Sequence, residues 1–410
     1  MKNEKVILHS DLNNFYASVE CMLNPELSDK YVAVCGSEED RHGIVLAKNQ
    51  KAKEMGVKTA ETIWQARIKC PKLVVVSPHF EEYRKYSHIV RDIYKRYTDM
   101  IEPFGLDECW LDVTGSQMLF GSGYEIAENI RKTVKEETGL TVSVGVSFNK
   151  AFAKLGSDLK KPDAVTCISR ENFKKIVHPL SVDSIIGVGK ATAQKLKKFG
   201  ITTIGELADT PLNFLSYHFG KHGNVLWKYA NGEDDSPVTH MDFEQEVKSI
   251  GHGLTLTEDL TDNEEVWRVM FHLSRDIETS LREKELIASS VAISIKDSSL
   301  ETREYQTPLK KPTLSAYEIA AHAFALFKSK YAWKRNVRSV TVRVIKLLDK
   351  DGNIQLDFFE NDTSKREKAE NAAYEIEKRF GRNALTYASL MGDMKLPKNI
   401  KTKSIPIEDE

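Results

Sequence analysis

The chain has few cysteines, no long apolar run and almost no net charge, and each absence excludes a class of protein. Its 410 residues include five cysteines, an odd number, widely spaced and without a C-x-x-C pair. They predict neither a disulfide framework nor a zinc site, and they favour a reducing, cytoplasmic location. After Met1, only three apolar residues precede His9, and no apolar run is long enough to span a bilayer. We therefore expect neither a secretory signal nor a membrane anchor.

The net charge of −1 gives no overall indication of a nucleic-acid partner, but the charges are distributed unevenly. Between residues 145 and 232 there are 13 lysines and arginines against 6 aspartates and glutamates. Contact with a polyanion is therefore expected to concentrate in this region. The length of 410 residues also exceeds what one hydrophobic core normally holds, and it predicts two to four domains.

The rest of the chain is organised around residues 6–20, VILHSDLNNFYASVE. The apolar start of this stretch predicts a buried strand that stops at Asp11. Asn13 or Asn14 can then cap the helix that follows. A carboxylate is thus expected beside a helix N-terminus, which attracts anions.

The order of predicted elements indicates an α+β architecture with helices on one face of a sheet. A mainly helical segment is expected from about residue 166 to 232, and a charged linker then leads to a third unit at about 249–348. The polar tail is expected to be disordered. The principal predicted strands are 30–35, 43–47, 73–76, 141–148, 290–296 and 339–345, and the principal predicted helices are 49–54, 64–69, 81–100, 124–138, 262–285 and 364–380.

An acidic pair, Asp107 and Glu108, lies far along the chain from Asp11. In a regular strand, neighbouring side chains point to opposite faces, so the pair could not bind one ion together. The segment Pro103-Phe104-Gly105 predicts a bend at which the two carboxylates can converge. With Asp11 at an adjacent strand end, the three acids would offer oxygen ligands to Mg²⁺. The alternative is that the pair forms surface charges in a turn, as acidic dipeptides usually do.

Four segments, taken together, resemble the motifs of Y-family DNA polymerases, the translesion enzymes similar to bacterial DNA polymerase IV. They occur in the order and at the spacing of that family and extend over the chain to about residue 350. Each segment alone would be a weak signal, whereas the set is specific. The segments are DLNNFYASVE (11–20), FGLDECWLDVTG (104–115), VGVSFNKAFAKLGSDLKKP (144–162) and IIGVGKATAQKLKKFGITTIGEL (185–207).

The resemblance implies an α+β right-hand polymerase with palm, fingers, helical thumb and an α+β little finger domain. A charged linker would join the thumb to the little finger, and a clamp-binding motif, a short helix and a polar tail would follow. The implied boundaries are 1–20 and 74–165 for the palm, 21–73 for the fingers, 166–232 for the thumb, 233–248 for the linker, 249–348 for the little finger and 349–410 for the remainder.

The resemblance also implies nucleotidyl transfer from a dNTP to a primer 3′-OH, with two Mg²⁺ ions per active site. Asp11 and Asp107 match the metal-bridging aspartates, and Glu108 matches the catalytic glutamate. The carbonyl of Leu12 matches a backbone ligand of the second ion. No segment of exonuclease size remains, so proofreading is not expected.

Several further positions match the family's nucleotide-binding residues. The backbone amides of Asn14 and Phe15 would hold the triphosphate, which agrees with the expected helix N-terminus. Tyr16 matches the steric gate, a ring that would collide with a ribose 2′-OH. Its alternative role is that of a core tyrosine. Lys161 matches the triphosphate-binding lysine.

The fingers segment departs from the family pattern. Ala47, Gln50 and Lys53 stand where a small hydroxyl residue, a tyrosine and an arginine are common. Lysine lacks the planar fork of arginine, so we expect Lys53 to hold a triphosphate more weakly. Gly105-Leu106 also replaces the usual Ser-Ile before the acidic pair, but the acids themselves are intact.

Two segments resemble DNA-binding parts of the family. Gly187, Gly189 and Lys190 resemble a helix-hairpin-helix turn, in which glycines allow a phosphate to approach the backbone. The alternative is a tight turn between helices that binds nothing. Arg338 and Arg343 match backbone-contacting residues of the little finger domain.

A third segment resembles a short peptide that docks on the sliding clamp. The matching residues are Gln355, Leu356, Phe358 and Phe359. The alternative for this segment is an edge strand that packs on its own domain.

Two other function classes remain open at this point. The departures in the fingers favour a non-catalytic DNA-binding accessory protein with a polymerase fold. A nucleotide cyclase with a similar palm would not need the basic region 145–232. We expect a cytoplasmic monomer that binds primer-template DNA, a dNTP and a sliding clamp, and that contacts no membrane.

Overall fold

The computed structural model describes residues 4–39, 41, 43–350, 363–381 and 384–397, and the chain forms two units. Unit 1 contains the described residues within 1–36 and 44–244, and unit 2 contains those within 37–43 and 245–410. In the described part of the chain, no helix is long and apolar enough to cross a membrane.

A five-stranded sheet forms the centre of unit 1, with strand order β5-β6-β1-β7-β8. The strands β1 and β7 are buried along their whole length, because helices cover both faces of the sheet. The elements are β1 (Ile7–Leu12), α1 (Phe15–Leu23), α4 (Phe80–Tyr94), β5 (Ile101–Phe104), β6 (Glu108–Asp112), α5 (Gln117–Phe120), α6 (Gly123–Thr138), β7 (Val142–Ser147), α7 (Lys150–Leu159) and β8 (Val165–Ile168).

The expectation that helices cover only one face of this sheet is wrong. Leu8 and Leu111 pack with helices α1, α4 and α6 on one side, whereas Ile7 and Trp110 pack with Ala153 of α7 on the other. Helix α7 approaches the sheet closely because Gly145 has no side chain. A Cβ atom at this position would lie 1.9 Å from the carbonyl oxygen of Ala153.

Two further predictions for this region need correction. The helix predicted for residues 81–100 ends at Tyr94, because the chain turns there and Thr98 donates a hydrogen bond to the carbonyl of Asp112 (2.8 Å). The mainly helical segment predicted from residue 166 begins later. Residues Val165–Ile168 form a strand that pairs in parallel with β7 and completes the sheet.

A smaller sheet of three strands, in the order β3-β2-β4, carries two short helices. The strands predicted at residues 30–35 and 43–47 are present as β2 and β3, which pair in antiparallel fashion. The continuous apolar run of residues 73–76 predicts a strand buried on both faces, but β4 is an edge strand and only its first residue is buried. The elements are β2 (Tyr31–Cys35), β3 (Val45–Lys48), α2 (Gln50–Glu54), α3 (Ile63–Lys69) and β4 (Leu73–Val76).

The predicted helical segment before residue 232 is confirmed as five short helices, and their apolar core also includes Phe152 and Leu155 of α7. Residues 233–248, the expected linker, contain neither helix nor strand. The helices are α8 (Phe173–Val177), α9 (Lys190–Lys198), α10 (Ile204–Asp209), α11 (Leu212–Phe219) and α12 (Lys221–Ala230).

Unit 2 is a four-stranded antiparallel sheet in the order β11-β10-β12-β9, and its core packs against two long helices. The predicted helix at 262–285 and the strands at 290–296 and 339–345 are confirmed, and both strands are longer than expected. The elements are β9 (Ser249–Leu260), α13 (Asn263–Glu283), β10 (Leu286–Asp297), β11 (Thr302–Thr313), α14 (Ala316–Lys330), β12 (Val337–Asp349) and α15 (Thr363–Phe380).

Candidate active site

The acidic residues meet because of strand register in unit 1. Strand β1 lies between β6 and β7, and Asp11 is paired with Glu108 on one side and with Ser143 on the other. The strand predicted to stop at Asp11 is present and extends one residue further, to Leu12. Asp11 is thereby fixed inside the sheet, with its side chain almost fully buried.

The predicted bend before the acidic pair is present. Gly105 has a φ of 71°, a left-handed conformation that glycine adopts without strain. The carbonyl of Asp107 then accepts a hydrogen bond from the backbone N–H of Leu12 (2.9 Å). This bond fixes the turn to the end of β1 and brings Asp107 beside Asp11.

The three acids lie at a cavity of about 440 Å³ within unit 1. Every residue predicted to bind metal or nucleotide lines this cavity, although the residues come from separate stretches of the chain. The lining residues are Asp11, Leu12, Asn13, Asn14, Phe15, Tyr16, Leu46, Ala47, Lys48, Gln50, Lys53, Thr59, Asp107, Glu108, Lys161 and Pro162.

Asp11 is paired with a lysine at the cavity. The Nζ atom of Lys161 lies 2.6 Å from Oδ2 of Asp11 and 2.7 Å from Oδ1 of Asp158. Burial raises the pKa of Asp11 to about 6, because the loss of hydration outweighs the attraction of Lys161. The carboxylate therefore needs a nearby positive charge to stay ionised.

Glu108 and Asp107 are neighbours whose pKa values move in opposite directions. Burial and the charge of Glu108 raise the pKa of Asp107. Burial would also raise the pKa of Glu108, but the His9 ring and the Lys154 ammonium group outweigh it and lower the pKa to about 2. Glu108 is thus the more strongly ionised acid of the pair.

Two residues that the sequence reasoning did not assign surround Glu108. Lys154 of α7 donates a hydrogen bond to Oε2 of Glu108. His9 is fully buried, and its Nε2 atom lies 3.0 Å from the same oxygen. Its Nδ1 atom lies 2.8 Å from Oγ of Ser157. Lys154 lies in the segment 144–162 and His9 in the stretch 6–20, but only the fold brings them to Glu108.

The donor set at this site consists of carboxylate and carbonyl oxygens, which suit a hard cation such as Mg²⁺. Within the described part of the chain, no three His, Cys, Asp or Glu side chains are grouped as a ready metal site. The ammonium groups of Lys161 and Lys154 lie against the oxygens of Asp11 and Glu108. The residue types fit the ion, and two of the three carboxylates, those of Asp11 and Glu108, are paired with lysines in this structure.

The helix N-terminus beside the acids is built differently from the prediction. Asn14 precedes α1 with a φ of 51°, and its side chain makes no capping hydrogen bond. The side chain of Asn13 instead bonds to Thr141 and Ser143, which ties the turn to β7. The N–H groups in the first turn of a helix have no intrahelical acceptor, so they remain suited to an anion.

The fingers side of the cavity carries two positive groups, Lys48 and Lys53. Asn49 caps α2 by accepting a hydrogen bond from the N–H of Ala52 (3.0 Å). This cap places Gln50 and Lys53 at the cavity, where the side chain of Gln50 donates to Glu54 (3.0 Å). Lys48, which was not predicted, also lines the cavity.

The predicted helix-hairpin-helix turn precedes α9. Gly187 has a φ of 90°, and a Cβ at Gly189 would meet no other atom within 4 Å. Gly189 is the N-cap of α9, and Lys190 is its first residue. The turn is therefore open at the start of a helix, as the motif requires.

Apolar residues alternate with polar ones in β12, so the strand has an apolar face and a polar face. Val340, Val342 and Val344 are fully buried in the core of unit 2. Arg343 lies on the other face beside Gly251 of β9, where a Cβ would lie 2.9 Å from the Cβ of Arg343. Arg338 is half-buried near the start of β12. The predicted clamp-binding residues Gln355, Leu356, Phe358 and Phe359 and the polar end of the chain lie outside the described residues.

Comparison with known families gives three separate matches. Residues 10–158 match the model of the impB/mucB/samB family, and residues 247–358 match the C-terminal domain of that family. Residues 183–234 match a thumb domain described as that of DNA polymerase-iota. The matches thus include the acidic residues, the turn before α9 and the strand β12.

Several curated proteins are similar over nearly their whole length. DNA polymerase IV of Acetivibrio thermocellus is 49% identical over 393 residues, which are 95% of this chain and 98% of that protein. DNA polymerase IV of Clostridium acetobutylicum is 35% identical and covers 94% and 98% of the two chains. DNA polymerase IV 2 of Bacillus subtilis is 36% identical and covers 95% of each.

A solved structure has the same fold. A Y-family DNA polymerase chimera aligns with a TM-score of 0.75 at 25% sequence identity, and the alignment covers 84% of this chain and 99% of the chimera.

Proposed function

We propose, on the premise that this chain belongs to the Y-family DNA polymerases of the bacterial DNA polymerase IV type, that it extends a DNA primer along a template and acts in translesion synthesis. The substrates are primer-template DNA and a dNTP. The products are a primer longer by one nucleotide and pyrophosphate. A non-catalytic accessory role is not favoured, because the acids, the helix N-terminus and Tyr16 all line one cavity.

The carboxylates of Asp11, Asp107 and Glu108 and the carbonyl of Leu12 would hold two Mg²⁺ ions. When bound, such ions activate the 3′-hydroxyl for attack and stabilise the leaving pyrophosphate. The N–H groups at the start of α1 are suited to the triphosphate, and Lys161 holds a positive charge at the same cavity. These groups bind and orient the nucleotide beside the acids.

The observation that carries this proposal is the convergence of Asp11 with Asp107 and Glu108 at one cavity. Primer extension with Mg²⁺ tests it directly. Wild type should add nucleotides to a labelled primer, and Asp107→Ala should add none while still binding primer-template. Equal extension by wild type and Asp107→Ala would make the assignment wrong. Binding without extension by wild type would support the accessory role instead.

Tyr16 is proposed as the steric gate that rejects ribonucleotides, since its half-buried ring lines the cavity. Replacement by alanine removes the ring and should increase ribonucleotide incorporation relative to deoxynucleotides. Single-nucleotide insertion kinetics with matched dNTP and rNTP measure this ratio. An unchanged ratio would remove the gate assignment without affecting the polymerase assignment.

The turn before α9 and the polar face of β12 are proposed to contact the DNA backbone. Both offer positive or amide groups without a base-reading element, which suits binding that is independent of sequence. Neutralising Lys190, Lys197 and Lys198 together should weaken primer-template binding and impair extension. A nucleotide cyclase would be unaffected by the same change.

The remaining proposals concern partners. Residues Gln355–Phe359 are proposed to dock on a sliding clamp, as the sequence of this segment suggests. Deleting them should abolish stimulation of synthesis by a clamp and spare synthesis without one. Retained stimulation would place the docking site elsewhere. The protein is further proposed to act as a cytoplasmic monomer, which sedimentation of the full chain would test.

A further inference from the structure

The ring of Tyr16 rests on a second aromatic ring. The rings of Tyr16 and Tyr83 lie with centroids 4.2 Å apart and planes only 8° from parallel. Phe80 contacts both rings edge-on, at 6.0 Å from Tyr16 and 5.7 Å from Tyr83. Tyr83 itself is fully buried. One face of the Tyr16 ring is therefore supported from within the core, while the residue also lines the cavity.

The hydroxyl of Tyr83 is held by a buried acid. It donates a hydrogen bond to Oε1 of Glu20, which is only 3% exposed. The Nδ1 atom of His79 lies 2.9 Å and 3.0 Å from the two carboxylate oxygens of Glu20. Glu20 follows Tyr16 by four residues, so α1 presents both on one face. A single helix thus carries both Tyr16 and the acceptor that anchors its supporting ring.

A buried carboxylate costs stability unless it is paired and hydrogen-bonded. An apolar residue at position 20 would fill the same space without this cost, so packing alone does not account for Glu20. Burial and the hydrogen bond to Glu20 raise the pKa of Tyr83, so its hydroxyl remains a donor. Stacking alone would let the Tyr83 ring slide parallel to the Tyr16 ring. The hydrogen bond to Glu20 restricts this movement.

We propose that Tyr83, anchored by Glu20 and His79, is a positioning residue that fixes the Tyr16 ring and so sets how strongly the enzyme rejects ribonucleotides. The inference rests on the proposed role of Tyr16 as the steric gate. A gate excludes a 2′-hydroxyl only if its ring cannot move away. The stacked and anchored Tyr83 ring closes the direction in which Tyr16 could retreat.

The test compares sugar discrimination in four variants of the full-length protein. Discrimination is the ratio of kcat/KM for a dNTP to that for the matching rNTP in single-nucleotide insertion. Tyr83→Leu removes the support, and the ratio should fall by about tenfold. Tyr83→Phe keeps the ring but loses the anchor, and a smaller fall is expected. Glu20→Gln still accepts the hydroxyl and should stay close to wild type, and Tyr16→Ala is the reference for a lost gate.

The outcomes separate this inference from the gate assignment. If Tyr16→Ala lowers the ratio but Tyr83→Leu reduces dNTP and rNTP insertion equally, Tyr83 is merely structural and the inference is wrong. If Tyr16→Ala leaves the ratio unchanged, the gate assignment fails and the inference fails with it. Tyr83→Phe guards against misfolding, since it preserves the packed ring and its melting temperature can be compared with wild type.

Discussion

The cavity of unit 1 and the polar face of the sheet in unit 2 carry their charges in contrasting ways. At the cavity, Asp11 and Glu108 are largely buried, each is paired with a lysine, and their pKa values are shifted. On the sheet of unit 2, Arg343 lies partly exposed on a polar face. Chemistry on a nucleotide requires charges held in a low-dielectric site, whereas backbone binding needs only positive charge near solvent. A substitution of a cavity acid therefore leaves a lysine without its counter-charge, whereas a substitution on the exposed face removes only the contact of the substituted residue.

After Asp107→Ala, the largest effect is expected at the cavity acid with the lowest pKa. Glu108→Gln removes the charge that faces Lys154 and should lower the rate of primer extension by about a hundredfold to a thousandfold. Single-turnover extension measures the rate, and fluorescence anisotropy of a labelled primer-template should show unchanged binding. Asp92→Asn, which alters an acid on the exposed side of α4, is the control and should extend normally. If the extension rate of Glu108→Gln lies within about threefold of the Asp92→Asn rate, Glu108 has no role at the reacting atoms.

A second prediction ranks two lysines within the cavity. Lys161→Ala should raise the KM for dNTP by about tenfold to a hundredfold, because charged hydrogen bonds are stronger than neutral ones and Asp11 also loses its partner. Lys53→Ala should have the smaller effect, since Lys53 offers a single flexible donor from the fingers. Steady-state insertion kinetics with both variants give the order. The reverse order would show that the fingers side holds the triphosphate.

A third prediction concerns how a buried acid in unit 2 makes the stability of the protein depend on pH. Glu278 pairs with Arg282 at 2.6 Å, yet burial raises its pKa from 4.5 to about 6. Because the folded-state pKa is the higher one, the contribution of Glu278 to stability falls as the pH rises from about 4.5 to about 6. Glu278→Gln removes this dependence and keeps an acceptor for Arg282.

The free energy of unfolding of Glu278→Gln, minus that of wild type, should therefore rise by about 2 kcal/mol between pH 4.5 and pH 7. Denaturant unfolding at several pH values gives this difference. A difference that does not change with pH would mean that Glu278 titrates normally.

The smallest effect is expected on the surface. Arg343→Ala should weaken primer-template binding a few fold and reduce the slope of log K against log salt by about one. Binding titrations at several salt concentrations measure the slope, with Lys330→Ala at the end of α14 as a control that keeps it. If Arg343→Ala leaves the slope unchanged, the polar face of β12 does not contact DNA phosphates.

Apolar runs and turn residues were sufficient to predict much of unit 1. Val6 to Leu8 and the Pro103 to Gly105 segment gave the strand and the bend, because both depend on local chemistry. His9 and Lys154 could not be placed at Glu108, since β1 pairing and the position of α7 bring them there through contacts distant in sequence.

Unit 2 was harder to predict for a related reason. Strand β11 is largely exposed and rich in polar residues, so it has no apolar run to identify it. In β9, a side chain at position 251 would collide with that of Arg343, so glycine stands there because of a neighbouring strand and not because of its own local sequence. The clamp-binding segment remains a prediction from sequence.

The absence of a side chain at Gly145 has a consequence for how this protein can vary. The backbone of α7 rests directly on this glycine, and α7 carries Lys154, Ser157 and Asp158 toward the acids. A Cβ atom at position 145 would overlap the backbone of α7. Only glycine therefore allows α7 to lie this close to the sheet. The position of Lys154 beside Glu108 thus depends on a glycine that does not itself line the cavity.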